Sequence, residues 1–349
     1  MRFIHTGDIH LGATPESKRP WAANRGDEIW NTLERLIKKI KIDPVDLLII
    51  AGDMFHRQPL LRELKEVDYL FSTIPDTKVV LCAGNHDAIK KGSFYDGFKW
   101  SENVIFLGDK NIESVEIPEL NTCVYGLSYH QTEIKDAMYD HVIVINILVA
   151  HGGDEKHIPI NRKKLAMSGF DYVAMGHIHK PEIDEKMKMA YSGSLEPIDM
   201  NDIGPRGYIY GEISKRGLEL EFVPFAKRIY RELDFTVTPT ATNLEIRHRL
   251  IDMIKEQGQD DMYKITFSGY RDPDFDIDVS DIEGVGNVVS VTDNTVPDYD
   301  FEELYAENKD NILGMYIRKF LDRESLTPLQ RKTLYYGTKA LMDAMEDRA

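Results

Sequence analysis

Arg2-Phe3-Ile4-His5-Thr6-Gly7-Asp8-Ile9-His10 opens the chain with a short β-rich apolar run that ends, after a glycine, in two polar side chains two residues apart. An extended backbone alternates its side chains, so Asp8 and His10 turn to one side while Ile9 turns away. The arrangement recurs four times. Asp46–Ala51 leads into Gly52-Asp53, Lys78–Ala83 into Gly84-Asn85-His86-Asp87, Val142–Ala150 into His151-Gly152, and Tyr172–Met175 into Gly176-His177-Ile178-His179. Each polar cluster falls just beyond the carboxyl end of an expected strand, the place where open α/β sheets bind ligands. Glycines beside the clusters allow tight turns and close backbone approach around a crowded centre.

Outward from these motifs, Val104–Leu107 and Thr122–Gly126 read as further strands. Ile29, Leu33, Leu36, Ile37 and Ile40 recur at helical spacing between the first two motifs. The alternation predicts an α/β fold in which helices cover a mixed sheet. Lys188–Ser192, Gly207–Ser214 and Leu218–Phe225 come without intervening helices and read as an antiparallel continuation. After Arg231 the order becomes strand Arg231–Val237, helix Asn243–Gln257, then strands Met262–Gly269 and Asn287–Thr292. That is a small α+β domain, its helix opened by the capping-box pair Thr242 and Glu245. Two more helices are expected from Phe301, the second opened by Thr327-Pro328 with Gln330 at the capping position. The expected division is therefore 1–230, 231–297 and 298–349.

The chain of 349 residues carries a net charge of −16, which argues against a broad basic face for nucleic acid. The acidity is uneven. Residues 231–349 hold 14 Lys+Arg against 25 Asp+Glu, leaving 29 against 34 in residues 1–230. Asp272 to Asp310 alone contains 13 acidic residues and one lysine, a solvated face or loop. The longest apolar stretch, Val142 to Ala150, is interrupted by Asn146 and is too short to span a bilayer. The first residues lack the features of a signal peptide, so a cytoplasmic protein without a membrane span is expected. Cys82 and Cys123 sit among apolar neighbours and read as buried thiols, neither a disulfide framework nor a thiolate metal site.

Six of the eleven histidines, His10, His56, His86, His151, His177 and His179, lie in or beside the motifs, together with Asp8, Asp53 and Asn85. His5, His130, His141, His157 and His248 fit no motif and read as core or surface residues. The ordered set resembles the calcineurin-like metallophosphoesterase superfamily, whose fold is a β-sandwich flanked by helices. The resemblance implies one divalent ion held by Asp8, His10, Asp53 and His179. It implies a second held by Asp53, Asn85, His151 and His177, with the Asp53 carboxylate shared. Two such cations against two carboxylates leave the centre cationic and attractive to a phosphodiester. Nitrogen and oxygen donors without thiolate suit Mn²⁺, Fe²⁺ or Zn²⁺, and the resemblance favours Mn²⁺. His86 matches the superfamily's phosphate-contacting histidine, which stabilises the transition state or protonates the leaving alkoxide. Asp87 reads as orienting His86 or supporting its turn.

Within the superfamily, Asp8-Ile9-His10-Leu11-Gly12, Ala51-Gly52-Asp53-Met54-Phe55-His56, Tyr191-Ser192-Gly193-Ser194-Leu195-Glu196 and Arg206-Gly207-Tyr208 resemble the SbcD-type nucleases. Protein phosphatases follow the shared aspartate with an Asp-Arg-Gly triplet, and Phe55-His56-Arg57 stands there instead. His56 then becomes a second catalytic imidazole near the scissile phosphate. The resemblance is specific over residues 1–230 and one of layout beyond. It implies a DNA exonuclease and endonuclease that works in DNA repair with an SbcC-like coiled-coil ATPase, dimerises, and carries a capping domain at 231–297. The helices of 298–349 would dock on the ATPase through Ile312, Leu313, Tyr316, Ile317, Phe320 and Leu321. The acidic small domain departs from a simple basic DNA clamp. Two other readings compete: a phosphodiesterase or phosphatase of small nucleotides, opposed by the extra domain and His56, and a catalytically silent DNA-end-binding scaffold, opposed by the complete motif set.

Overall fold

The computed structural model describes residues 1–134, 145–160, 165, 167–323 and 325–346; His141 and the expected strand residues Val142 to Val144 lie outside them. The chain forms two compact units, Met1–Tyr230 and Arg231–Ala349.

The first unit is built on two six-stranded mixed sheets. One runs β12 (Gly217–Pro224), β11 (Gly207–Ser214), β1 (Arg2–Thr6), β2 (Leu47–Ala51), β3 (Lys78–Cys82), β4 (Val104–Leu107). The other runs β5 (Glu113–Ile117), β6 (Thr122–Gly126), β7 (Ile145–His151), β8 (Tyr172–Gly176), β10 (Met189–Tyr191), β9 (Glu182–Asp184). Strands β1 to β4 are parallel neighbours in the first sheet, as are β6, β7, β8 and β10 in the second.

Alternation along each strand assigns the layers. Phe3, Leu47, Ile49, Val80 and Cys82 face Val124, Ile147, Val149, Tyr172 and Ala174 across the sandwich. The opposite set, Ile4, Leu48, Ile50, Val79 and Leu81, packs under helices α1 (Arg25–Ile42) and α2 (Leu61–Ser72), through Leu33, Leu36, Ile40, Leu64, Val67 and Phe71. Central strands are thus covered on both faces, which is why they read as continuous apolar runs. At about 25 cal/mol per Å² of apolar surface removed from water, this burial is the main stabilising term of the unit. Both cysteines are buried and free.

The structure departs from the expected layout in three places. The strand at Met189–Tyr191 pairs parallel with β8 and antiparallel only with β9, so the antiparallel continuation holds for β11 and β12 alone. Strands β5 and β9 were not expected: β5 alternates exposed and half-buried residues with little apolar content, and β9 is three residues long. The single mixed sheet becomes two.

In the second unit β13 (Tyr230–Val237, the boundary strand), α3 (Asn243–Gln257), β14 (Met262–Arg271), the one-turn α4 (Val279–Ile282), β15 (Asn287–Asp293) and β16 (Val296–Pro297) build a small sheet under one helix. Leu233, Phe235, Ile246, Leu250, Ile254, Ile265 and Phe267 form its core. The Thr242 hydroxyl accepts from the Glu245 N–H, capping α3. Three helices follow instead of two: α5 (Phe301–Glu307), α6 (Ile312–Leu321) and α7 (Pro328–Glu346). The break comes from Asn311, whose side-chain oxygen accepts from the Leu313 and Gly314 amides and starts a new helix. Thr327 and Gln330 exchange the two capping-box hydrogen bonds.

Half of the expected docking face belongs to this unit's own core. Leu313 and Ile317 are buried against Leu334, with Tyr316 and Phe320 packed on them. Ile312, Met315 and Leu321 remain exposed. No helix among the described residues is long and apolar enough to cross a membrane.

Candidate metal centre

The ends of β1, β2, β3, β7 and β8 deliver the predicted residues to one place. Past the strand ends the β1 and β2 loops run side by side, with Asp8 N donating to Gly52 O, His10 N to Asp53 O and Leu11 N to Met54 O. Asp8, His10, Asp53 and His177 all adopt positive φ, between 47° and 87°. That region costs a non-glycine residue energy, and such strain collects at functional sites where surrounding structure enforces it. Gly84 lies so close to the Asp53 carboxylate that a Cβ there would overlap it.

Asp8, His10, Asp53 and His151 are almost completely buried, whereas Asn85, His177 and His179 are partly open and His56 and His86 are exposed. Two groups of donor atoms result. In the first, His10 Nε2 lies 3.3 Å from His179 Nε2, and both lie 4.0 Å from Asp8 Oδ1. In the second, His151 Nε2 lies 2.9 Å from Asn85 Oδ1 and 3.2 Å from Asp53 Oδ2. Asp53 Oδ2 is also 3.8 Å from His10 Nε2, so this carboxylate stands between the groups. Imidazole nitrogens turned toward one another beside buried carboxylates are poorly matched as hydrogen bonds and well matched as donors to divalent cations. The donor set fits two such ions.

His177 is the exception. Its backbone N–H donates to both Asp8 oxygens at 2.9 and 3.1 Å, but its ring Nε2 lies 2.9 Å from Asp154 Oδ2, in a cluster with His157. His86 packs edge-on to His10 and stacks on His56, with ring centroids 4.9 and 5.2 Å apart. His10, His56 and His86 bring ring nitrogens together in one group. Asp87 takes the turn-supporting role: its carboxylate accepts from Gly84 N, Phe55 N and the Tyr95 hydroxyl, with no bond to His86.

Sequence reading missed the acceptors that hold the histidines. His179 Nδ1 bonds the Asp202 carboxylate at 3.2 Å, and His151 Nδ1 donates to the Ala51 carbonyl at 2.9 Å. Asp202 and Asp154 sit in acidic loop segments without motif spacing; only the Gly152-Gly153 pair signalled a turn near Asp154. His157, read as core or surface, bonds Asp154 and lies 4.3 Å from the His177 ring.

Burial dominates the proton affinities. It raises the Asp8 carboxyl to about 6 and the Asp87 carboxyl to about 7, and it holds the His10 imidazole well below its ordinary value. For Asp53, burial acts upward but the His151, His10 and His86 imidazoles outweigh it, leaving the carboxyl below the usual range. Reciprocally, burial disfavours the charged His151, yet Asp53 and Asp8 lift it to about 9. The centre therefore keeps an ionised carboxylate at its middle.

Comparison with known proteins agrees with this geometry. The family model "Calcineurin-like phosphoesterase" matches residues 1–181, more than half of the chain. The chain is 26% identical over 259 residues to the DNA double-strand break repair protein Mre11 of Methanopyrus kandleri, covering 64% of this chain and 56% of that protein. It is 24% identical to the uncharacterized metallophosphoesterase YhaO of Bacillus subtilis, over 64% and 60%. It is 25% identical to the SbcD subunit of the nuclease SbcCD of Staphylococcus saprophyticus, over 64% and 69%. The chain thus spans somewhat over half the length of the first two relatives. Motifs, strained strand ends and family match converge on one conclusion: this chain belongs to the calcineurin-like phosphoesterases, enzymes that hydrolyse phosphoesters.

Proposed function

We propose that the chain is a metal-dependent DNA nuclease of the SbcD/Mre11 type, holding two divalent ions, Mn²⁺ by preference, on Asp8, His10, Asp53, Asn85, His151, His177 and His179. The observation that carries this reading is the place of Asp53, whose Oδ2 lies 3.2 Å from His151 and 3.8 Å from His10, between the two donor groups. When bound, two such ions supply the charge that activates water and stabilises the in-line displacement at phosphorus. The residues around them divide the remaining work. Exposed His86, its backbone N–H anchored to Asp53 Oδ1 at 2.9 Å, presents its imidazole to the scissile phosphate and delivers a proton to the leaving oxygen. His56 stacks on His86 and keeps that ring in place. Lys180 lines an open groove of about 640 Å³ with His177, His179 and Arg206, a path for the flanking phosphates.

The names of two relatives support DNA as substrate, and the name of one, which belongs to a nuclease complex, supports an SbcC-like ATPase partner. Exposed Ile312, Met315, Leu321 and Leu329 are the docking residues in this reading. A homodimer and a cytoplasmic location complete it. The test is purified protein with Mn²⁺ on labelled single- and double-stranded DNA beside bis-p-nitrophenyl phosphate. Cleavage of DNA is expected; cleavage of the small ester alone would assign a small-molecule phosphodiesterase, and no turnover a scaffold.

A further inference from the structure

Three motif histidines follow β7 and β8, and each commits one ring nitrogen to a protein acceptor. His151 uses the Ala51 carbonyl, His179 the Asp202 carboxylate and His177 the Asp154 carboxylate. For His151 and His179 the other nitrogen, Nε2, is the one turned toward the Asp8 and Asp53 carboxylates. A carboxylate only accepts, so His177 Nε2 carries the proton and Nδ1 keeps its lone pair.

Asp154 is built to hold that position. The loop after His151 doubles back on itself, closed by Gly153 N donating to His157 O at 2.7 Å. Gly153 has φ +125°, and a Cβ there would overlap the Tyr191 hydroxyl, so only glycine fits. Tyr129 and Tyr191 donate their hydroxyls to the carbonyls of His151 and Gly152, pinning the start of the loop. Inside it, Asp154 Oδ1 accepts from Lys156 N at 2.7 Å and His157 N at 2.8 Å. His157 Nδ1 adds a contact to Oδ2 at 2.8 Å, and Oδ2 meets His177 Nε2 at 2.9 Å. The carboxylate is oriented before the imidazole reaches it.

We infer that Asp154, braced by His157, is a positioning residue that fixes the His177 ring and tautomer so that Nδ1 is the nitrogen offered to the second ion. The inference rests on the two-metal reading above. Outer carboxylates of this kind set ligand basicity and orientation, and their loss weakens metal binding about 10–100-fold. The cost of ordering the ring is met in the folded protein and not during binding.

The experiment uses the full chain and has two readouts besides activity. Calorimetric titration with Mn²⁺ counts ions and their affinities, and long-range proton–nitrogen correlation spectra of the metal-free protein report the His177 tautomer. Wild-type protein should show the Nε2–H tautomer. Asp154→Ala should give a tautomer mixture and weaken the second ion about 10–100-fold with the first unchanged. Asp154→Asn, whose carbonyl still accepts the proton, should restore the tautomer and most of the affinity. Wild-type tautomer and affinity in Asp154→Ala would overturn the assignment. So would a wild-type protein that takes up three ions and loses one in both Asp154→Ala and His157→Ala, because the cluster would then itself be a metal site. Fewer than two ions in the wild type would defeat the two-metal reading instead, and the tautomer would still decide whether Asp154 fixes His177.

Discussion

Asp53 and His86 are neighbours in space joined by one hydrogen bond, yet they carry separable roles, and substitution distinguishes them. Asp53→Asn removes the charge of the carboxylate that stands between both donor groups, so both ions should bind more weakly and turnover should fall more than for any other single ligand change. Metal analysis beside nuclease rate checks this; two retained ions with near-normal rate would take Asp53 out of the shared position. His86→Ala should keep both ions and lose at least about a hundredfold in turnover, the usual scale for a positioned acid or base. Single-turnover kinetics with calorimetry separate the effects, and metal lost in step with rate would make His86 a ligand. Much of the site could be read from the sequence because its residues lie next to glycines at the ends of apolar runs. Asp154, Asp202 and the Ala51 carbonyl could not, since they act by reaching a ring from another loop or from the backbone. No spacing rule encodes that contact.

Proton linkage belongs to the same scale. Burial acts to lower the His151 value, and the Asp53 and Asp8 carboxylates reverse it to about 9, above the ordinary 6.5. A raised histidine contributes stability that is complete below its unfolded value and is lost as pH climbs through the folded one. Between pH 7 and 9 the histidines held below their ordinary value, His5, His10, His56 and His177, are neutral folded and unfolded alike and add nothing. The melting temperature of the metal-free protein should therefore fall from pH 7 to 9. Saturating Mn²⁺ should suppress that fall, because metal displaces the proton that His151 carries. Scanning calorimetry with chelator and with Mn²⁺ measures both slopes; a flat metal-free profile would contradict the His151–Asp53 pairing.

At the scale of elements, strands buried on both faces and helix α1 with its regular apolar stripe were legible because periodicity and burial coincide there. The acidic edge strand β5 and the three-residue β9 were not, since edge pairing needs little apolar sequence. Helix α6 shows the limit of pattern reading more sharply. Its apolar residues divide between two surfaces that spacing alone does not assign. Ile317 is fully buried, so Ile317→Ala should cost about 2–5 kcal/mol of stability in the second unit, visible in denaturant melts. Ile312→Asp with Met315→Asp, at exposed positions, should leave melting unchanged and abolish co-purification with an SbcC-like ATPase. Wild-type binding by that pair would move the docking face off α6.

For the whole molecule the main tension is charge: a phosphodiester substrate and a chain of net charge −16. Most of the acidity resides in the second unit, and the ions proposed for the first would supply positive charge where the phosphate reacts. Attraction of DNA then depends on metal more than on surface lysines. DNA affinity should accordingly drop sharply on chelation, with a shallow dependence on salt that a basic clamp would not show. The most direct measurement is anomalous diffraction at the manganese edge from crystals grown with Mn²⁺. Two peaks should appear, roughly 3.5–4 Å apart, both against the Asp53 carboxylate, one toward His10 and His179 and the other toward His151 and Asn85. A single peak, or peaks that leave Asp53 uncoordinated, would contradict the account.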